Sequence, residues 1–116
     1  MYGDGSQTRS FCYVSDLVEG FVRGGAAETF ESPVNIGNPN EFSMLELARI
    51  VSKVAGVAVD FRHLPLPADD PKRRCPDISK AKRLIGFEAK VKLEDGIRQT
   101  YENFKARLDA KQRVAP

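Results

Sequence analysis

The spacing of apolar residues along the chain predicts four helices. The first begins at Ser15, whose side chain can cap the N-terminus, and ends at Gly24-Gly25. The second opens with the capping box Ser43-x-x-Glu46. A short basic helix covers residues 79–85, and a long helix follows from Leu93. The apolar positions expected to face inward are Leu17, Val18, Phe21 and Val22 in the first helix, Met44, Leu47, Ala48, Val51, Val54 and Ala55 in the second, and Leu93, Ile97, Tyr101, Phe104 and Leu108 in the last.

Three segments rich in strand-forming residues predict short strands at 10–14, 33–37 and 57–61. The stretch from Leu64 to Pro76 contains four prolines. Because proline removes a backbone donor and restricts the residue before it, regular structure is excluded over most of this stretch. Strands this few and short leave their edges unpaired unless another sheet accepts them. The pattern therefore predicts an α/β fold, with about four helices and three short strands, that forms a segment of a larger protein.

The chain opens on a polar, turn-rich loop, residues 2–9, rather than on a strand, a helix or a disordered lead. Such an opening is typical of a stretch taken from within a longer sequence. We expect one region over residues 1–111, followed by a frayed tail over residues 112–116.

Composition and charge describe an ordinary globular protein and argue against several functions. The 116 residues include 18 Lys and Arg against 16 Asp and Glu, which gives a net charge of +2. This balance offers no electrostatic case for a nucleic-acid or membrane partner. No apolar run approaches the roughly 20 residues that cross a bilayer. The two cysteines, Cys12 and Cys75, are far apart in sequence and are predicted to be free thiols in a reducing compartment.

Three short patterns suggest chemistry but are better explained as structure. Gly3-x-Gly5 begins like a dinucleotide fingerprint, yet Thr8 follows where a third glycine is needed and no strand precedes the loop. Tyr101-x-x-x-Lys105 would place both side chains together on a helix, but Tyr101 belongs to the apolar face. His63 is the only histidine, and its default interpretation is a loop or surface residue. None of these patterns predicts a metal or cofactor site.

Two charged loops are more specific. In the first, Arg9 stands where a glycine-rich loop enters a predicted strand, and the second, residues 69–77, carries three basic residues between aspartates. A planar guanidinium binds phosphate or carboxylate oxygens in pairs, and such charge-assisted bonds are about twice as strong as neutral ones. Two such loops, with an aspartate for a sugar hydroxyl, suit a nucleotide diphosphate. The alternative is a pair of solvated loops joined by surface ion pairs worth about 0–1 kcal/mol each.

Four segments, residues 2–17, 32–39, 69–82 and 93–97, also carry a family resemblance. In order along the chain, from Tyr2 to about Leu108, they resemble UDP-glucuronate decarboxylases of the extended short-chain dehydrogenase/reductase family. The most specific matches are Gln-Thr-Arg-Ser-Phe in the first segment and Asp-Asp-Pro-x-x-Arg-x-Pro-Asp in the third. The wider pattern Arg-x-Phe/Tyr-x-x-Val-x-Asp is shared with epimerases and dehydratases.

The resemblance implies that the chain is the C-terminal, substrate-binding part of such an enzyme, with the Rossmann core missing. In that family the N-terminal Rossmann domain binds NAD through a glycine-rich turn and supplies the catalytic tyrosine and lysine, a role that Tyr101 and Lys105 do not inherit. NAD is therefore expected in the complete enzyme, with no binding residue in this chain. The chain alone should be inactive. The complete enzyme is expected to be a homodimer that binds a UDP-sugar.

The reaction implied by the resemblance converts UDP-glucuronate to UDP-xylose and CO2 without net oxidation. A temporary ketone at C4 lies β to the carboxylate and takes up the electrons that the departing CO2 leaves behind, which is the purpose of NAD. On this resemblance Arg9 contacts the substrate, where it either holds phosphate oxygens or acts as an assisting catalytic residue at the carbon that bears the carboxylate, and Gln7 helps to place the substrate. Arg74 is expected at the diphosphate or carboxylate, and Asp70 at a ribose hydroxyl.

Two other functions stay open at this point. One is a UDP-sugar 4-epimerase or a nucleotide-sugar 4,6-dehydratase, which use the same scaffold and ketone. The other is a non-catalytic, truncated piece that binds a nucleotide sugar or docks to a partner chain. Lys72 and Arg73 are expected to be solvated. The expected compartment is the cytosol, or the Golgi lumen if an anchor lies upstream.

Overall fold

In the residues that the structure describes, the fold combines four helices with three very short strands. The structure, a computed structural model, describes residues 1–27, 32–58 and 60–114. The α/β class and the four helices predicted from the sequence are confirmed. Along the chain the elements are β1 (Thr8–Ser10), α1 (Val14–Ala26), β2 (Glu41–Ser43), α2 (Met44–Ala55), β3 (Arg73–Arg74), α3 (Ser79–Ile85) and α4 (Leu93–Val114).

The strands form one small sheet in the order β2-β1-β3. β1 pairs antiparallel with β2, which puts Arg9 opposite Phe42, and parallel with β3, which puts Arg9 opposite Arg74. Paired residues project to the same face of a sheet, whereas neighbours along a strand project to opposite faces. One face of the sheet therefore carries Arg9, Phe42 and Arg74. The other face carries Thr8, Ser10, Glu41, Ser43 and Arg73.

Two of these strands lie where none was predicted. The strand predicted at 10–14 is wrong beyond Ser10, because β1 ends there and a helix begins at Val14. The strand predicted at 57–61 is absent from the described residues of that range, and Val59 lies outside them. β2 and β3, of three and two residues, are too short to leave an alternation pattern. They form because β1 brings distant loop segments together.

The strand predicted at 33–37 is also wrong. These residues have no regular structure, although the apolar side chains of Val34 and Ile36 pack against the core. A strand needs a neighbour for its backbone groups, and none of the described strands lies beside this segment. The alternation of apolar and polar residues at 33–37 therefore reflects burial of one side of this segment and not its membership of a sheet.

α2 and α3 follow the local signals in the sequence closely. The Ser43 hydroxyl accepts a hydrogen bond from the Glu46 N–H at 3.1 Å, and the Glu46 carboxylate accepts one from the Ser43 N–H at 2.7 Å. This is the predicted capping box, and it fixes the start of α2. α2 ends at Gly56 with φ 68°, and α3 ends at Gly86 with φ 62°. Both glycines adopt the left-handed conformation that closes a helix.

α1 begins and ends differently from the prediction. Its N-cap is Tyr13 rather than Ser15, because the N–H groups of Asp16 and Leu17 both donate to the Tyr13 carbonyl. The helix also continues through Gly24-Gly25 to Ala26. Glycine inside a helix costs about 1 kcal/mol relative to alanine, which lowers stability without ending the helix.

The side of α1 that packs inward is not the predicted apolar face. The buried residues are Asp16 and Gly20. Asp16 accepts hydrogen bonds from the backbone N–H groups of Lys90 and Val91, and Gly20 lies against the ring of Phe87. The prediction of an inward apolar face is wrong for three of its four residues, since the exposed fractions are 54% for Val18, 66% for Phe21 and 66% for Val22, whereas Leu17 is half-buried.

The buried core is small. Ile78, Ala81 and Phe87 form it, and three half-buried residues surround it: Val34, Ile36 and Ile85. α2 packs against α4, whose outer turns leave Phe104 and Leu108 exposed. α4 continues to Val114, beyond the boundary expected at residue 111, and residues 115 and 116 lie outside the described part. None of the described helices is long and apolar enough to cross a membrane.

Candidate functional site

Arg9 is held at two points in the centre of the sheet. Its Nη2 donates to Asp70 Oδ1 at 2.5 Å, and its Nη1 donates to the Thr8 carbonyl at 2.7 Å. The Arg9 side chain is only 19% exposed and that of Asp70 is 30% exposed, so solvent screens this ion pair less than a fully exposed one. The contact joins positions 61 residues apart in sequence. It connects the first charged loop to the second.

The Arg9–Asp70 pair borders an open cleft of about 710 Å³. This volume lies within the range of about 300–1,000 Å³ that is usual for small-molecule sites. Three of the four residues predicted for substrate binding line it: Gln7, Arg9 and Asp70. The remaining lining residues are Met1, Tyr2, Met44, Pro67 and Asp69. Of these five residues, only Tyr2 and Asp69 belong to the sequence motifs of the two charged loops.

The glycine-rich loop is fixed by its backbone against the start of α2. The carbonyls of Gly5 and Gln7 accept hydrogen bonds from the N–H groups of Leu45 and Met44. Gly5 has φ 79°, and a Cβ at that position would lie 2.9 Å from Leu45 Cγ. A side chain there is excluded both by backbone conformation and by space. The loop therefore presents Gln7 to the cleft along a defined path.

Gln7 and Asp4 make local contacts that shape the same loop. The Gln7 amide nitrogen donates to the Tyr2 carbonyl at 2.9 Å. Asp4 Oδ1 accepts from both the N–H and the hydroxyl of Ser6, and these hydrogen bonds lower the pKa of Asp4. Asp4 does not line the cleft and is a loop-forming residue.

Arg74, the fourth predicted residue, does not line the cleft. It is exposed and lies opposite Arg9 in the parallel β1–β3 pair, on the same face of the sheet. Adjacent strands are about 4.8 Å apart, so two guanidinium groups leave this face from neighbouring positions. The pairing of β1 with β3 thus brings the first charged loop and the second together.

The opposite face of the sheet carries an ion pair that was not predicted. Arg73 Nε donates to Glu41 Oε1 at 2.7 Å, and the Thr8 hydroxyl donates to the same oxygen at 3.2 Å. The Arg73 hydrogen bond is the main cause that lowers the pKa of Glu41. Arg73 is solvated as expected, with a side chain that is 72% exposed, and its contact with Glu41 also ties β3 to β2 across β1.

The patterns set aside in the sequence have structural roles. The Gly3-x-Gly5 loop runs into a strand and not directly into a helix, and the N-terminus of α2 that lies against it already donates to its backbone carbonyls. Tyr101 is 37% exposed and lines an apolar groove between α2 and α4, away from Arg9. His63 Nδ1 is 2.8 Å from the Gly3 carbonyl, so it contacts the glycine-rich loop. In the part of the chain that the structure describes, no group of three or more His, Cys, Asp or Glu residues is arranged to hold a metal ion.

Comparison with known proteins finds a matching family model and relatives of similar sequence. The family model described as GDP-mannose 4,6 dehydratase matches residues 1–100. UDP-glucuronic acid decarboxylase 3 of Arabidopsis thaliana is 47% identical over 105 residues, which are 90% of this chain and 30% of that protein. The chain therefore spans about a third or less of the relatives it matches.

Solved structures agree in fold. UDP-glucuronic acid 4-epimerase from Bacillus cereus, in complex with UDP-glucuronic acid and NAD, matches with a TM-score of 0.85 at 30% identity, over 91% of this chain and 34% of the other. UDP-glucose 4-epimerase from Thermotoga maritima, with UDP-glucose, matches with a TM-score of 0.87 at 28% identity, over 93% of this chain and 35% of the other.

Proposed function

Because the chain belongs to the GDP-mannose 4,6 dehydratase family, within the extended short-chain dehydrogenase/reductases, we propose that it carries the sugar-nucleotide-binding part of an NAD-dependent UDP-glucuronate decarboxylase. The complete enzyme would convert UDP-glucuronate to UDP-xylose and CO2, and the chain alone would be inactive. The observation that carries the proposal is the placement of Arg9 and Arg74 on one face of the sheet, where Arg9 lines the cleft. The names of the decarboxylase relatives support the choice of substrate.

The diphosphate is the part of the substrate that this arrangement suits best. A guanidinium has five N–H donors. Arg9 uses one of its Nη1 donors for Thr8 and one of its Nη2 donors for Asp70, so the others stay free for phosphate oxygens. Arg74 adds a second fork from the adjacent strand. Both guanidinium groups can then donate charge-assisted hydrogen bonds to one pyrophosphate and together balance its negative charge.

Gln7 and Asp70 are assigned to the rest of the nucleotide. Gln7 donates its amide N–H to the Tyr2 carbonyl, which leaves its own carbonyl oxygen as an acceptor for a substrate hydroxyl or N–H. Asp70 uses Oδ1 for Arg9. Its second oxygen is assigned to a ribose hydroxyl. Arg9 is also the candidate for assisting at the carbon that bears the carboxylate.

NAD does not fit the residues described here. A dinucleotide site needs a strand, a tight glycine turn and a helix N-terminus in succession, whereas the Gly3-x-Gly5 loop leads into β1. Gly5 is accounted for by its φ of 79° and by its close approach to Met1 and Leu45. The proposal therefore assigns NAD to other residues of the complete enzyme. The Bacillus cereus epimerase, which was crystallised with NAD, supports use of this cofactor in the family.

The test is a chimeric enzyme. The matching stretch of the Arabidopsis thaliana decarboxylase is replaced by this chain, and CO2 and UDP-xylose formed from UDP-glucuronate are measured. The chimera is expected to turn over, and Arg9→Ala is expected to lower kcat/KM about 10- to 100-fold, the effect of one charged hydrogen bond. A change in KM alone makes Arg9 a binding residue, and a change in kcat gives it a catalytic role.

The matched control is Arg23→Ala, which removes an exposed arginine from α1, where it contacts Glu19. This variant is expected to leave kcat/KM unchanged. A chimera that folds and binds NAD but forms no product from UDP-glucuronate would overturn the proposal.

A UDP-sugar 4-epimerase is the second candidate, because the two solved structures described above are enzymes of that kind. Release of CO2 separates the two, since an epimerase retains the carboxylate. A non-catalytic binding module is the third, and it is favoured if UDP raises the Tm of the chain while the chimera is inactive.

A further inference from the structure

The residues of the two predicted loops that line the cleft carry more negative than positive charge. The charged residues of the two predicted loops that line it are Arg9, Asp69 and Asp70, one positive and two negative. On electrostatic grounds alone each aspartate opposes the entry of a diphosphate. Asp70 nevertheless lies against the residue expected to bind that group, at 2.5 Å from Arg9 Nη2.

The backbone holds Asp70 in place from both sides. Its N–H donates to the Pro67 carbonyl at 3.2 Å, which closes a turn over residues 67–70. Pro71 follows directly, and a residue before proline is restricted to extended conformations. A carboxylate anchored in this way is a firm attachment for a long, flexible arginine side chain.

Asp69 differs from Asp70 in its exposure and in its contacts. It lines the same cleft and carries the same charge, but it is exposed, and no ion pair joins it to another described residue. Substitutions of the two neighbouring aspartates can therefore separate the effect of positioning Arg9 from the effect of a negative charge in the cleft.

We propose that Asp70 is a positioning residue, which fixes the Arg9 guanidinium in the orientation that receives the diphosphate. The inference rests on the proposed function of the cleft. The contact of Arg9 with the Thr8 carbonyl supplies the second fixed point. With both contacts in place, the ordering of Arg9 precedes binding, so the ligand does not bear that entropic cost.

The test compares two substitutions that remove the same charge. UDP and uridine are titrated into the full chain and into its Asp69→Asn and Asp70→Asn variants by calorimetry. Asp69→Asn is expected to leave the affinity for UDP unchanged or to raise it up to about threefold, because a repulsive charge is lost. Asp70→Asn is expected to weaken UDP about tenfold, since a charge-assisted hydrogen bond to Arg9 becomes a neutral one. The affinity for uridine should be unchanged in Asp69→Asn, and Asp70→Asn should lower it less than it lowers the affinity for UDP, because uridine retains only the ribose contact assigned to Asp70.

A second measurement observes the Arg9 guanidinium directly and needs no ligand. In the full chain the Nη groups of Arg9, assigned by their loss in Arg9→Lys, are expected to give separate NMR signals because the contacts with Asp70 and Thr8 hinder rotation of the guanidinium. Asp70→Asn should merge these signals, and Asp69→Asn should not.

Three results would overturn the inference. These are merged Arg9 signals in the unchanged chain, an Asp70→Asn variant that binds UDP as tightly as Asp69→Asn does, and equal losses of UDP and uridine affinity in Asp70→Asn. Failure of the proposed function looks different, since the unchanged chain would then bind UDP no more tightly than uridine.

Discussion

Arg9 and Arg74 are Cα partners in the parallel pairing of β1 with β3, so the two guanidinium groups leave the same face of the sheet. They come from loops separated by more than sixty positions, and neither loop has regular structure beyond these few residues. The pairing of two short strands is thus what places two arginine side chains on one face of the sheet. The predictions below follow from this arrangement and from the packing that supports it.

Arg74→Ala should weaken the binding of UDP about tenfold, because one of two charge-assisted contacts to the diphosphate is lost. The Tm should not change, since the Arg74 side chain is exposed. Arg73→Ala is the matched control, because Arg73 projects to the opposite face and contacts Glu41. Calorimetry with UDP tests both, and equal losses of affinity in the two variants would refute the assignment of faces.

Gly20→Ala should destabilise the chain by about 1–3 kcal/mol, the usual cost of overpacking. A Cβ at this position would lie 2.9 Å from Phe87 Cε2 and 3.1 Å from Ile36 Cδ1. Gly24→Ala in the same helix meets nothing within 4 Å and should stabilise by up to about 1 kcal/mol through helix propensity. Urea unfolding of both variants measures the difference. A stabilised Gly20→Ala variant would show that α1 does not pack on Phe87.

Phe21→Ser should leave the free energy of unfolding of the chain within about 0.5 kcal/mol of the original, because the side chain is 66% exposed. Phe87→Ala should cost about 3–5 kcal/mol, since this ring is the largest fully buried side chain. Phe21→Ser should also reduce self-association, because it removes a large part of an exposed apolar face. Light scattering and urea unfolding report the two effects. A large loss of stability in Phe21→Ser would place that face in a core.

The Glu41 carboxyl should titrate below its ordinary pKa of 4.5, because the hydrogen bond from Arg73 favours the charged form. A pKa that is lower in the folded state than in the unfolded state adds stability above the unfolded value. That contribution is complete above pH 4.5 and disappears as the pH falls through the folded pKa. Carbon-detected NMR titration of Glu41 measures the shift. Arg73→Ala should return the pKa toward 4.5, and an unchanged titration in that variant would remove Arg73 as the cause.

The sequence predicts best where the signal is local. The capping box at Ser43 and Glu46 and the span of α3 were predicted because each depends on residues within one or two turns. Arg9 was singled out because a guanidinium at the end of a glycine-rich loop has few structural uses. Its contact with Asp70 was not predictable, because the partner lies 61 positions away.

Long-range pairing accounts for most of what the sequence missed. β2 and β3 exist only because β1 lies between them, and segments of two or three residues carry no periodic signal. The apolar residues of α1 are spaced so that they share one face of the helix. This spacing indicates that the face packs against another surface, but it does not identify that surface. Among the described residues it is Asp16 and Gly20 that face the interior, and neither belongs to an apolar stripe.

The central claim is that Arg9 and Arg74 together hold the diphosphate of a nucleotide sugar. The most direct measurement is calorimetric titration of UDP and of uridine into the full chain, Arg9→Ala, Arg74→Ala and the double variant. The account predicts that the chain binds UDP at least about tenfold more tightly than uridine, the effect of one charged contact. Each single variant should lose part of that preference and the double variant all of it. Equal binding of UDP and uridine by the unchanged chain, or a preference for UDP that survives in the double variant, would contradict the claim.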